Sequence, residues 1–272
     1  MKIILSRKGF DSQLGKQPSP ILPDGTLLSM PIPSNDYLTY SSITWDGCSY
    51  LDIIKELKPR TYLNENSHCH LDPDLRAGTI ERAEGWMPAF GQTGSSLTEL
   101  RENGVKEGDV FLFFGWFKHT EYHKGKLRYI PKAPDIHVIY GYMQIGNIVK
   151  TPTQIPEWLK YHPHSNIDNY MDAWGKRMNA IYLPTHHLSF APTMPGCGTF
   201  TFDKRLVLTK EGYCRSRWEF PASMQGIKIS HNPHGWKSDY FQSAARGQEF
   251  VMDGTPAVMD WVSNIFNILN GK

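Results

Sequence analysis

The stretch Gly104–Phe117 reads GVKEGDVFLFFGWF. A polar turn, GVKEGD, runs into a series of β-branched and aromatic side chains that suit a pleated, packed surface, which predicts a strand over Val105–Phe117. A second run of the same character covers His137–Val149, with Gly141 and Gly146 marking a bulge or sharp bend. Between them Lys118–Pro134 is basic and marked by Gly and Pro, so it reads as a long hairpin loop. A pair of long strands joined in this way predicts a β-rich centre for the chain.

Working outward, Lys2–Ser6 reads as a short first strand, and the Gly, Pro and Ser-rich stretch Gly9–Gly25 as a series of turns. Ser49–Lys58 places Leu51, Ile54 and Leu57 at helical spacing, with Asp46 and Gly47 before it and Pro59 as its stop. Asn64–Gln92 is polar and without a period, an excursion over the surface where functional groups tend to sit. Short strands are expected at Ala180–Leu183, Phe200–Phe202, Leu206–Thr209 and Trp218–Phe220. Two C-terminal helices follow, around Asp239–Arg246 and over Pro256–Leu269, the second stopped by Asn270 and Gly271. The pattern is α+β. With no repeat, low-complexity tract or linker, residues 1–272 read as one integrated domain.

Composition narrows the roles. The 29 Lys and Arg against 27 Asp and Glu leave a formal charge of +2, which excludes the basic footprint of a non-specific DNA-coating protein. Contact with nucleic acid must then be local, salt-sensitive and modest in its number of phosphate contacts. Aromatic residues, 8 of them Trp, supply core area or flat surfaces for base stacking. Cys48, Cys69, Cys197 and Cys214 form no CxxC pair and read as reduced thiols. MKIILSRK is too short an apolar run for a signal peptide, and no later run reaches membrane-spanning length, so a cytoplasmic protein without a membrane partner is expected.

Three groups of residues carry chemistry. Ser6, Arg7, Lys8, Gly9, Phe10, Asp11 and Ser12 follow the first strand. Their cations and backbone N–H groups can cradle a phosphate while Asp11 orients a hydroxyl. The plain alternative is a solvated strand end in which Asp11 caps a turn. In the second group, HCHLDPD, an extended backbone puts His68, His70 and Asp72 on one face. His70 and Asp72 can act as an acid/base or orienting pair, whereas Asp72-Pro73-Asp74 is also ordinary turn chemistry. A metal is disfavoured, because no HxxxH or CxxC spacing supports one. His162 with His164, His186 with His187, and His231 with His234 read as loop histidines bonded to carbonyls. The third group is Arg246, Gln248 and Glu249 in RGQEFV. It can bind ribose or phosphate while the carboxylate works on a developing oxocarbenium centre, or Arg246 and Glu249 can simply pair on a helix surface.

These residues carry a resemblance. KIILSRKGFDS, PSPILPDGTLLSMPIP, HLDPDL, GDVFLFFGWF, IHVIYGYMQIG, HPH and QSAARGQEFV together resemble the third type of nucleotide modification associated domain, over Lys2 to about Val251. Gly15-Lys16-Gln17 stands where that family carries Gly-Gly. The resemblance implies company with bacterial and phage systems that alter nucleobases, hence a nucleotide or modified base as ligand, roles in DNA modification or defence, and companion modification enzymes. It does not itself imply a reaction.

A second, local likeness, Gly104–Val149, is to PUA-like barrels of the EVE, YTH and ASCH kind. It implies a β-barrel element over about 104–150 with Phe114, Trp116, Tyr140 and Tyr142 as candidates for a base pocket. A third, RGQEFVMD, is similar to the glutamate segment of DarT-type DNA ADP-ribosyltransferases, and implies NAD as cofactor with Glu249 on the nicotinamide ribose. The expectation that leads is a protein that acts on or recognises a modified nucleotide or base. It places Arg7, Lys8, Arg246, Gln248, Trp116 and Tyr142 on substrate, and Asp11, His70, Asp72 and Glu249 in catalysis. The alternatives are a non-catalytic reader of modified bases and an NAD-dependent transferase.

Overall fold

Both long strands form, and they lie side by side at the centre of the protein. The structure, a computed structural model, describes residues 1–165, 178–244, 247–269 and 271. Among these, nine strands make the main sheet: β1 (Lys2–Arg7), β2 (Ser19–Ile21), β3 (Phe90–Thr93), β4 (Val110–His123), β5 (Lys126–Tyr129), β6 (Ile136–Val149), β7 (Asn179–Pro184), β8 (Cys197–Thr199) and β9 (Glu249–Asp253). The helices are α1 (Tyr50–Leu57), α2 (Gly94–Glu102) and α3 (Pro256–Phe266). The order is β9-β1-β4-β6-β7-β3, with β2 and β5 added to β4 and β8 added to β6. The result is α+β, a sheet curled into a half-barrel and accompanied by helices.

β1 is sandwiched between β4, parallel to it, and β9, antiparallel to it. It is therefore an interior strand, and Ile3, Ile4 and Leu5 are buried without the alternation of a half-exposed strand. The same holds for Val110–Phe114. Phe111 and Phe113 pack with Phe90 and Tyr182 on one face, while Phe114 meets Trp218 and Phe250 on the other. α3 covers the second face too, its Phe266 against Tyr142. The register between β4 and β6 shifts between Ile139 and Gly141, and that between β6 and β7 between Ile145 and Asn147, so both glycine-marked breaks are bulges. The hairpin after Phe117 is tighter than its composition indicates. β4 runs to His123, turns through Lys124 and Gly125, both at positive φ as a type I′ turn requires, and returns as β5.

α1 forms as its spacing predicts, with Ser49 capping the Asp52 N–H at 3.0 Å. It nucleates a second core of Phe10, Leu28, Met30, Tyr40, Ile43 and Leu71. The turn after the first strand survives without Gly-Gly, because Gly15 and Lys16 both take positive φ.

Other expectations are corrected. No helix forms around Asp239–Arg246 in the described part: Phe241–Gln242 pairs with Arg217–Trp218, since Phe241 gains full burial against Trp218 and Trp236. Arg246 and the Asn270 stop lie outside the described residues. The last helix ends at Phe266, earlier than read. Near Phe200–Phe202 the strand is Cys197–Thr199, and Leu206–Thr209 makes only isolated bridges. The polar stretch Asn64–Gln92 ends inside the fold, where Phe90, Gly91 and Gln92 enter β3 beside β7.

Candidate functional site

A cleft of about 820 Å³ opens where β1 ends, within the range of small-ligand sites. The turn from Arg7 to Leu14 forms one side. Arg7 is anchored from behind, its Nη2 donating to the carbonyls of Ala244, at 2.9 Å, and Gly247. Burial lowers the Arg7 pKa, with Asp11 opposing and Arg215 reinforcing the shift. Asp11 Oδ1 accepts from the N–H groups of Gln13 and Leu14 at 2.7 and 2.6 Å, which is the turn-capping role.

Trp116 and Arg215 line the cleft beside this turn. The Arg215 guanidinium stacks 4.0 Å from the Trp116 ring centre and donates to Ser12 Oγ, and Trp116 Nε1 donates to Asp135 at 2.8 Å. Of the four rings proposed for a base pocket, Trp116 lines the cleft. Phe114, Tyr140 and Tyr142 are core residues, Tyr142 packed on Phe200 and Phe266 because both faces of the sheet are covered. His137 also lines the cleft, accepting at Nδ1 from Trp218 Nε1 at 3.0 Å, and burial holds it neutral with a pKa well below the ordinary value. Gly94, Ser95 and Ser96, the first turn of α2, also line the cleft. Gln248 reaches the cleft edge, where it accepts from Ser96 at 3.1 Å.

β3 then joins two carboxylates. Gln92 Nε2 donates to Glu249 Oε1 at 2.6 Å, where Lys8 Nζ and Ser6 Oγ also arrive, each at 3.0 Å. This meeting follows from register, since Ser6 stands opposite Glu249 in the β1–β9 ladder. Lys8 also sits over the Phe90 ring at 4.5 Å. The Glu249 side chain is fully buried, and its Oε2 has no partner among the described residues. As placed, it exposes no oxygen for a ribose.

The second carboxylate is Asp72, whose Oδ1 accepts the Gly91 N–H at 2.7 Å. Around it stand three imidazoles. His162 Nε2 is 3.3 Å from Oδ1, while His164 Nε2 and His70 Nε2 are 3.9 and 4.0 Å from Oδ2. His70 and His164 face each other, Nε2 to Nε2, at 3.2 Å. Burial opposes the Asp72 charge, but His162 and then His164 and His70 outweigh it and hold the carboxyl well below the carboxylate range. Burial likewise pushes His164 down to about 3, against the pull of Asp72.

His68 does not join this group and instead bonds the Asp36 carbonyl at 2.6 Å. Of the HPH pair, read as loop histidines, His164 lies on a 3₁₀ turn, Pro163–Ser165, and His162 just before it, held by an anchor the sequence hides. Buried Asp74 takes a bidentate Arg82 at 2.6 and 2.7 Å and the Tyr161 hydroxyl at 2.6 Å. Gly91 permits the close approach of His164, whose ring would stand 2.1 Å from a Cβ at that position.

Arg7, Lys8, Asp11, His70, Asp72, Gln248 and Trp116 thus share one cleft. Sequence reasoning missed Arg215, the first turn of α2, and the turn of His164 toward Asp72. Only the HPH dipeptide spacing offered a signal for the last, and it names no partner.

Fold and cleft together define an α+β protein whose cleft joins two arginines to a histidine–carboxylate group. The chain belongs to the family described as nucleotide modification associated domain 3, whose model matches residues 2–253. No curated protein and no solved structure matches it. No helix among the described residues is long and apolar enough to cross a membrane.

Proposed function

We propose that this cleft is the active site of an enzyme that alters a nucleotide or nucleobase. The observation that carries the reading is the convergence of three distant segments, Arg7–Asp11, His70–Asp72 and Gln248, on one cleft of about 820 Å³. Arg7, Arg215 and the first turn of α2 suit a phosphate, since guanidinium forks and helical N–H groups both favour an anion. Trp116, stiffened by Asp135 and Arg215, offers a face for a base. His70 and Asp72 suit proton transfer or the orientation of a reacting group. With so few cations, the ligand is a nucleotide or a short segment of polymer, and binding to polymer is modest and salt-sensitive with the slope of a few phosphate contacts. Cytoplasmic action beside companion enzymes of a DNA-modification or defence system belongs to the same reading.

The test is mass spectrometry of nucleotides, DNA and RNA from cells that carry the wild-type chain, the His70→Ala chain or neither. A nucleoside present only with the wild type is the expected result. Unchanged pools together with tight binding of an altered base would replace the enzyme with a reader.

A further inference from the structure

We propose that His70, Asp72 and His164 form a binding site for a first-row divalent transition-metal ion, with open coordination positions facing the cleft. Three atoms converge: His70 Nε2, His164 Nε2 and Asp72 Oδ2, separated by 3.2, 3.9 and 4.0 Å. A triangle with those edges has its centre about 2.2 Å from each corner, matching metal–imidazole and metal–carboxylate bonds of roughly 2.0–2.2 Å. The donor set, two imidazoles and one carboxylate, suits zinc, iron, cobalt or nickel and is unlike the all-oxygen sets of magnesium and calcium.

The groups behind the ligands aim them. Asp36 Oδ2 lies 2.6 Å from His70 Nδ1, and a carboxylate can only accept, so Nδ1 carries the hydrogen and the neutral ring offers its lone pair at Nε2. Asn179 donates its Nδ2 to the His164 carbonyl at 2.6 Å, which turns Oδ1 toward His164 Nδ1 at 2.8 Å. His164 is therefore set in the same tautomer. Two lone pairs and a carboxylate oxygen that converge on one point make a donor set that a single cation can bridge. A proton shared by the two histidines would leave Asp72 Oδ2 at 3.9 and 4.0 Å, beyond hydrogen-bond reach, whereas one metal ion satisfies all three.

His70, Asp72 and His164 all line the cleft, so a bound ion would meet the ligand there. Its chemistry would be to polarise a substrate oxygen or a water. This goes beyond the proposed nucleotide reaction and does not require it.

The test uses the full chain, stripped with a chelator and titrated with Zn²⁺ and with Co²⁺. Bound metal is counted by plasma mass spectrometry, and cobalt coordination is read from its visible absorption. The expected result is about one ion per chain, with affinity lowered at least ~10-fold in His70→Ala and Asp72→Asn and about 10–100-fold in Asp36→Asn. His68→Ala binds as the wild type does. Thermal melts identify variants that fail to fold, and His70, partly exposed, tolerates Ala best. A folded wild-type chain that takes up less than about 0.2 equivalents of either metal overturns the site, as does His70→Ala with undiminished affinity. Metal uptake is read without substrate. A chain that binds metal and alters no nucleotide overturns the proposed function alone, and one that alters nucleotides but takes up no metal overturns this site alone.

Discussion

Gln92 and Gly91 are adjacent on β3, each binds a buried carboxylate, and the two carboxylates are completed differently. Glu249 Oε1 gathers Lys8, Gln92 and Ser6 at 2.6–3.0 Å, donors supplied by β1, the residue just after it, and β3. Asp72 receives one close backbone N–H, from Gly91 at 2.7 Å, and otherwise faces imidazoles at 3.3 to 4.0 Å. The first is a lock between strands, built by register. The second holds its donors slightly apart on separate loops, which is what a site for an exogenous cation needs. Buried charge by itself therefore does not distinguish structure from function, and the spacing of the partners does.

The largest effect expected is on the lock. Lys8→Ala leaves the Glu249 charge buried beside Gln92 and Ser6 and should cost about 3–5 kcal/mol in denaturant unfolding. A loss below ~1 kcal/mol would mean that Glu249 is not held as a charge and would erase the contrast. Gly91→Ala acts on the open group. Its new methyl meets the His164 ring, so metal affinity should fall at least ~10-fold while stability drops by only about 1–3 kcal/mol. Equal effects of the two substitutions on metal binding would break the division between lock and site.

The smallest effect sharpens the comparison through a histidine whose partner is already in place. His137 is buried and neutral, with a lowered pKa, and accepts from Trp218. Its stabilising contribution is present above the unfolded value of about 6.5 and is lost as pH falls below it, because only the unfolded chain takes up the proton. The dependence of unfolding free energy on pH between about 6.5 and 5 should be flatter in His137→Asn than in the wild type, by up to one proton. Identical slopes would place that proton elsewhere.

Much of the fold was legible because local chemistry repeats along an element. The aromatic run of β4, the glycine bulges of β6 and the capped spacing of α1 each announce themselves within a dozen residues. β9 carries no strand expectation from EFVMD alone, and it forms where β1 stands beside it. Phe241–Gln242 was misread for a like reason, its pairing with Arg217–Trp218 being tertiary.

The cleft divides along the same line. Arg7, Lys8, His70 and Asp72 could be named from residue type and neighbours, since cations after a strand and histidine next to carboxylate are local patterns. His164 could not, and the metal reading was set aside for want of a spacing. The ligand pair is 94 residues apart, and what unites it is the Arg82–Asp74–Tyr161 anchor, the Gly91 gap and the backing of Asp36 and Asn179. Periodicity and composition report what one segment prefers on its own. A ligand set made by two distant segments depends on distances through space, which only the packed chain decides.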